Sequence, residues 1–391
     1  MSEMPRAVIV EAVRTARGKK KGSLAGTHPM DLASYVLSAA IRRTGIDPLL
    51  VDDVVMGCVT QVGEQGFNIA RGAVLAAGLP IEIAGNTVNR FCASGLQAVN
   101  YAAMEIMSGQ AGVAIGGGVE SMSRVPMGPD ADGPGDGPMA PSLAARFPNL
   151  VPQGISAEMI AEQWNLSRGQ LDEFSLGSQR KAANAIRQGY FKREIEPIRV
   201  TGPDGAPKMF DTDEHARPGT TMEALSALKP SFKENGVIHA GNSSGIVDGA
   251  AAILLASSEK ARELGLKPRA KIVATATSGS DPVLMLTGPI PSTRKALERA
   301  KLRVEDIDLW EINEAFAPVP IVVGKELSIS LDRINVNGGA IALGHPLGAT
   351  GAIILATLLN ELERRDLRYG AATLCIGYGM GVTTIIDRRI D

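Results

Sequence analysis

Short apolar runs recur along the chain: AVIVEAV at 7–13, DDVVMGCV at 52–59, AGVAIGGG at 111–118, AAILLA at 251–256, KIVATAT at 271–277, IDLWEIN at 307–313 and AATLCIG at 371–377. Most are apolar on both alternating faces, which predicts strands buried on each side. Between them lie segments of helical character, among them ASGLQAVNYAAMEIM at 93–107. This alternation predicts α/β layers around buried sheets.

The pattern also repeats at long range. MDLASYVLSAAIRRTGIDPLLVDDVVMGCV in the first half reads as a helix, a short acidic link and a strand, and PSTRKALERAKLRVEDIDLWEINEAF in the second half has the same order. NTVNRFCASG, a helix through Met107 and AGVAIGGGVES then have counterparts in INVNGGAIALGHPLGATG, a helix through Leu362 and GAATLCIGYGMG. Both blocks start at a shared Val-Asn step, Val88-Asn89 and Val336-Asn337. Two related α/β halves about a pseudo-twofold axis are predicted, not a solenoid of units 20 to 50 residues long.

The middle of the chain differs. PMGPDADGPGDGPMAP, 126–141, is rich in Gly and Pro and predicts an irregular loop followed by two helices. Ser167 and Gln170 have capping-box spacing, with Leu166 and Leu171 placed as a staple. The expected division is a first core of 1–121 with 246–268, an insertion of 122–245 and a second core of 269–391.

Composition narrows the class. A chain of 391 residues has room for two or three domains. A net charge of −2 gives no electrostatic draw to nucleic acid or acidic lipid. The lysines at 19–21 read as a solvated loop. Three cysteines, an odd number without a CxxC pair, fit a reducing compartment and no zinc site. No signal-peptide core, apolar run of ~20 residues or C-terminal retrieval tail is visible, so the expectation is a cytoplasmic protein without membrane insertion.

Chemistry centres on NRFCASG, 89–95. Cys92 falls at the expected start of a helix, where unpaired N–H groups favour a thiolate. Burial as inert filler is the alternative, and the segment alone leaves both open. Its second-half counterpart presents His345 between Gly344 and Pro346, and Cys375 falls at a strand end beside glycines. Ligands of open α/β sheets bind at the carboxyl ends of strands, so a pseudo-twofold axis would bring Cys92, His345 and Cys375 together as a Cys–His nucleophile pair plus a second proton-transfer thiol. Asn313, in NEAFA, reads as a helix N-cap and as an amide serving an oxyanion, two roles that are not exclusive. GHPLGATG lacks the spacing of a dinucleotide fingerprint, and there is no Walker A motif.

These motifs resemble the thiolase family along the whole chain: NRFCASGLQAV, GGVESMS, GNSSGIVDGAA, NEAFA, NVNGGAIALGHPLGATGA and CIGYGMG occur in the family's order. The resemblance implies two similar βαβαβαββ core domains in a five-layered α-β-α-β-α arrangement with an inserted loop domain. It implies dimers or tetramers acting on CoA thioesters, with room for a multienzyme β-oxidation partner. No cofactor is bound permanently; CoA and acyl-CoA are substrates.

By the same resemblance Cys92 carries the acyl group, His345 activates it, and Cys375 moves the α-carbon proton. Asn313 through a water, with His345, would form one oxyanion hole, and the N–H groups of Cys92 and Gly377 the other. Ser244, Arg217 and Ala240 would meet CoA, and Met285 would line the acyl pocket. Where short-chain biosynthetic members show His-Met-Gly, this chain has Pro152-Gln153-Gly154. The expected reaction is thiolysis of 3-ketoacyl-CoA in β-oxidation, with condensation of two acetyl-CoA as the alternative. A ketoacyl synthase, which lacks the second catalytic thiol, and a non-catalytic acyl-CoA carrier are the rivals.

Overall fold

The computed structural model describes residues 5–132, 137–202 and 205–390. Twelve strands lie among them: β1 Ala7–Arg14, β2 Gly18–Lys19, β3 Asp53–Gly57, β4 Ala84–Val88, β5 Val113–Ser121, β6 Ile198–Thr201, β7 Pro207–Phe210, β8 Val247–Ser257, β9 Ala270–Gly279, β10 Leu309–Ile312, β11 Tyr369–Ile376 and β12 Met380–Asp387. The main sheet runs β4-β3-β5-β8-β1 and then β9-β12-β11-β10, with β2 beside β8.

The predicted repeat is visible in this order. In the first half β3 pairs in parallel with β4 and β5, and β8 is antiparallel to β5 and β1. In the second half β10 pairs in parallel with β11, and β12 is antiparallel to β11 and β9. The counterpart of β4 shrinks to one bridge, Ile334 to Trp310. The two half-sheets pair with each other through Val8–Lys271 and Ile9–Ala270.

Three cores separate five layers. Helices Ser94–Met107 and Leu347–Arg364 pack on one another between the two half-sheets. Pro29–Thr44 and Ile69–Ala76 cover the outer face of the first half. Pro289–Ala300 and Pro318–Leu327 cover that of the second. Along β8, Ala252 and Leu254 enter the outer core, while Ala251, Ile253 and Leu255 enter the central one. Successive strand side chains point to opposite faces, so burial of both leaves no polar alternation in the sequence.

Glycines bring the halves together at the strand ends. A methyl on Gly118 would lie 1.9 Å from the Gly348 carbonyl oxygen, and one on Gly95 would lie 2.6 Å from the same oxygen. Only residues without Cβ allow the start of Leu347–Arg364 to press this closely against the first half.

Residues between β5 and β8 leave the sheet and carry four helices, Pro141–Arg146, Gln153–Gln163, Arg168–Gln188 and Met222–Ser226, with the β6–β7 hairpin. Two of these helices were expected; the two short ones were not. Ser167 and Gln170 form the capping box, and Leu166 and Leu171 pack in the adjoining core. The Gly/Pro-rich stretch is irregular where described, and its residues 133–136 lie outside the described residues. Strand β4 (AGNTV) has no apolar run because it is a half-exposed sheet edge, and β12 is interrupted by buried threonines.

Candidate active site

After β4 the chain turns sharply. Phe91 takes a left-handed φ of 44°, its N–H donates to Asn89 Oδ1 at 2.8 Å, and the Ser94 hydroxyl donates to its carbonyl at 2.6 Å. Cys92 is thereby held two residues ahead of helix Ser94–Met107 and lines a pocket of about 310 Å³. Val59, Phe91, Gln153, Met285, Gly377 and Tyr378 are also on its walls.

Proximity to the helix start predicted a lowered thiol pKa, and the structure corrects this. Burial pushes the Cys92 thiol up to about 11; a hydrogen bond from Gln153 and a backbone contact oppose this, and the nearby Glu120 charge adds to it. Desolvation outweighs the helix dipole because the sulfur is almost fully enclosed. Cys92 is therefore a thiol near pH 7, and any reaction through its sulfur would require a base.

His345 is a buried imidazole held by its loop. Its loop is fixed where its N–H donates to the Gly245 carbonyl at 2.9 Å. Nδ1 lies 2.5 Å from Thr350 Oγ1, and the Thr350 hydroxyl donates to the Pro346 carbonyl at 2.9 Å. With its one proton committed, Thr350 accepts from Nδ1–H, so this hydrogen-bond pattern assigns the lone pair to Nε2. Burial, then the charge of Arg17, lowers the His345 pKa to about 3, which keeps the ring neutral near pH 7.

Asn313 stands beside it, with Nδ2 3.3 Å from His345 Nε2. It is not a helix cap: the following helix begins at Pro318 with Ala317 in the capping position. Its Oδ1 is buried without a protein partner. Cys375, near the end of β11, has its thiol pKa pushed up by burial and by Cys92, so the two sulfurs lie within electrostatic reach. Gly377 lies just beyond β11 on the pocket wall, where an added methyl would sit 3.5 Å from Gln153 Nε2.

Met285 is buried on the same wall at a positive φ of 23°. The other expected residues do not line this pocket. Ser244 is half-buried and donates its N–H to the Ala315 carbonyl at 2.9 Å, while Ala240 and Arg217 are exposed. Lysines 19–21 are exposed as expected, but Lys19 belongs to β2 and not to a loop.

Two buried carboxylates were missed by the sequence reading. Glu120 accepts from the N–H groups of Val59 (2.9 Å), Thr60 (3.1 Å) and Gly348 (2.8 Å) and from Gln65 Nε2 (2.7 Å). It ties the β3 loop of one half to the His345 loop of the other. Burial raises its pKa, and these four donors act against that rise. Glu314 accepts from Ser178 Oγ (2.7 Å), Asn335 Nδ2 (2.9 Å) and the Ile341 N–H (3.1 Å), which fixes the Asn313 loop. An acid inside a run of small apolar residues, such as Glu120 in GGGVES, was the available signal.

The chain matches the thiolase N-terminal domain over residues 7–259 and the thiolase C-terminal domain over 266–388. It is 46% identical over 392 residues to a 3-ketoacyl-CoA thiolase of Serratia proteamaculans, covering 98% of this chain and 100% of that protein. It is 44% identical over 394 residues to an acetyl-CoA acetyltransferase of Cupriavidus necator, covering 99% and 100%. An acetyl-CoA acetyltransferase of Pseudomonas aeruginosa is 45% identical over 394 residues, covering 98% and 100%. With this fold and these loops, the chain belongs to the thiolase family.

Proposed function

We propose that the chain cleaves 3-ketoacyl-CoA with CoA, giving acetyl-CoA and a shortened acyl-CoA carried through on Cys92. The observation that supports this reading is the electrostatic coupling of two buried thiols, Cys92 and Cys375, in a chain whose neutral His345 keeps its lone pair on Nε2. Cys92 attacks the keto carbon as His345 takes its proton. The carbon–carbon bond breaks, and Cys375 protonates the departing acetyl-CoA enolate. The CoA thiol gives its proton to the Cys375 thiolate and takes the acyl group from Cys92, whose departing sulfur recovers its proton from His345.

Charge develops on oxygen at both stages. Asn313 with His345 serves one oxyanion, and the N–H groups of Cys92 and Gly377 serve the other. Donors of this kind are each worth ~10²–10³ in rate. Ser244, Arg217 and Ala240 are assigned to CoA, which enters as a substrate; no resident cofactor is required.

The thiolysis reading over acetyl-CoA condensation is supported by the lining of the pocket. Val59, Phe91, Met285 and Leu347 offer more apolar wall than a two-carbon acetyl group needs. A relative of each name lies at similar identity, so substrate assays decide. Thiolysis rates across acetoacetyl-CoA, medium and long linear 3-ketoacyl-CoAs and ring-bearing ones are expected to favour chains beyond acetoacetyl. A strict preference for acetoacetyl-CoA supports the condensing alternative.

The remaining assignments are a cytoplasmic setting in β-oxidation, the division into two cores and an inserted CoA-binding domain, and a homodimer or homotetramer. No helix among the described residues is long and apolar enough to cross a membrane. Support for assembly comes from β4, whose outer edge is unpaired in the sheet and lies near the exposed Phe67 and Ile81. Sedimentation at micromolar concentration is expected to give a dimer or tetramer; a monomer would remove this part of the reading.

A further inference from the structure

Gln153 stands where the resemblance leads one to expect a methionine, and its surroundings give the amide a use. It is the first residue of helix Gln153–Gln163, behind Pro152. The backbone there has little freedom. The Pro152 carbonyl accepts from the Ile155 and Ser156 N–H groups, and the Ser156 hydroxyl donates to the Leu284 carbonyl at 2.6 Å. A methyl on Gly154 would fall 2.2 Å from the Phe232 ring, and Phe232 in turn meets the Phe316 ring edge-on, 5.8 Å between centroids. The start of the helix is thus registered to the Asn313 loop on one side and to the Met285 wall on the other.

From this fixed base the Gln153 side chain enters the pocket beside Cys92, with Nε2 toward Gly377. A methionine or leucine would fill this space without a donor. An amide carries two N–H bonds, so one can meet the sulfur while the second remains for an oxygen at the Gly377 side.

We propose that Gln153 is a catalytic residue of this chain: its side-chain amide donates to the Cys92 sulfur and, once a thioester is seated, to the acyl oxygen that gains charge as Cys92 attacks. The second half of this proposal rests on Cys92 being the acyl carrier. The first half does not. No atom is transferred by Gln153; it donates hydrogen bonds only, and the Cys92 proton still goes to His345. The hydrogen bond it gives the sulfur opposes the rise that burial imposes on the thiol.

The test uses the full-length protein and the variants Gln153→Met and Gln153→Glu, each first shown to melt like wild type. Iodoacetamide labelling of the Cys92 peptide, followed by mass spectrometry at fixed pH values below about 10, reports the thiolate fraction and hence the relative ionisation midpoint of that thiol. Loss of one hydrogen bond to a charged atom is expected to move the midpoint up by about one pH unit in Gln153→Met, slowing labelling about tenfold at fixed pH. Gln153→Glu, which places an acceptor where the donor was, is expected to move it further. Acyl-enzyme formation from a medium-chain acyl-CoA is expected to slow about 10²-fold in Gln153→Met.

A wild-type midpoint and a wild-type acylation rate in Gln153→Met would overturn the proposal while the thiolase reaction stood. Wild-type protein that never acylates, yet shows the expected order of midpoints, would remove the reaction and leave the Gln153–Cys92 contact in place.

Discussion

Thr350 Oγ1 lies 2.5 Å from His345 Nδ1, and the same hydroxyl is committed to the Pro346 carbonyl. This contact decides which ring nitrogen keeps the lone pair. Thr350→Val keeps the shape and removes the acceptor, leaving a buried Nδ1–H unpaired. It is expected to lower kcat at least tenfold and to destabilise the fold by about 1–3 kcal/mol. Thr350→Ser, which retains the hydroxyl, is expected to stay within a few-fold of wild type. Equal activity of the Val and Ser variants would show that the tautomer is set by something else.

Stability should depend on pH through two histidines, His345, which is buried, and His215, which is half-buried. The pKa of His345 is lowered to about 3 and that of His215 to about 4, in both cases first by burial. Near pH 7 both are neutral whether folded or unfolded, so their contribution is fully present. As pH falls below about 6.5 the unfolded chain takes up protons that the folded chain refuses, and stability is lost toward pH 4. Urea midpoints are expected to drop between pH 7 and 5, and less steeply in His345→Asn. Identical slopes in both proteins would contradict a buried neutral His345.

Glu120 is expected to tolerate no replacement by an amide. Each of its two oxygens accepts two N–H groups, so the –NH2 of Glu120→Gln faces two donors in either orientation. A loss of roughly 2–4 kcal/mol by urea denaturation is expected. Amide exchange at Gly348 and Thr60 is expected to accelerate together, since one carboxylate holds both halves. Acceleration at only one of them would break the proposed clasp.

Gly118 tests the packing that brings the Cys92 and His345 loops together. Its Cβ in Gly118→Ala would overlap the Gly348 carbonyl oxygen, backbone that cannot swing aside. Destabilisation of about 3 kcal/mol or more is expected, with loss of activity in any folded fraction. Gly26→Ala, where nothing lies within 4 Å of the added methyl, is the control and is expected to cost little.

Much of this architecture is legible in the sequence because both faces of the central strands are buried. Runs such as AAILLA carry no polar positions and cannot be surface strands. The repeat gave the second half its reading, including His345 as the counterpart of the Cys92 loop. Strand β4 escaped notice because an edge strand needs no apolar run. Glu120 and Glu314 escaped because a buried carboxylate is explained by the donors that reach it, and those come from distant segments: Gly348 for Glu120, Ser178 for Glu314. The Cys92 thiol illustrates a different limit. Position at a helix start argues for a thiolate, but the degree of burial that reverses the sign appears only once the pocket is built.

The central claim is that Cys92 carries the acyl group while Cys375 handles the carbon-bound proton. It is tested most directly by incubating the Cys375→Ala variant with a medium-chain acyl-CoA and mapping the product by peptide mass spectrometry. The account predicts one acyl group on the Cys92 peptide, none in Cys92→Ala, and no thiolytic carbon–carbon cleavage by either variant. An acyl group on another residue, or near-normal thiolysis by Cys92→Ala, would contradict it.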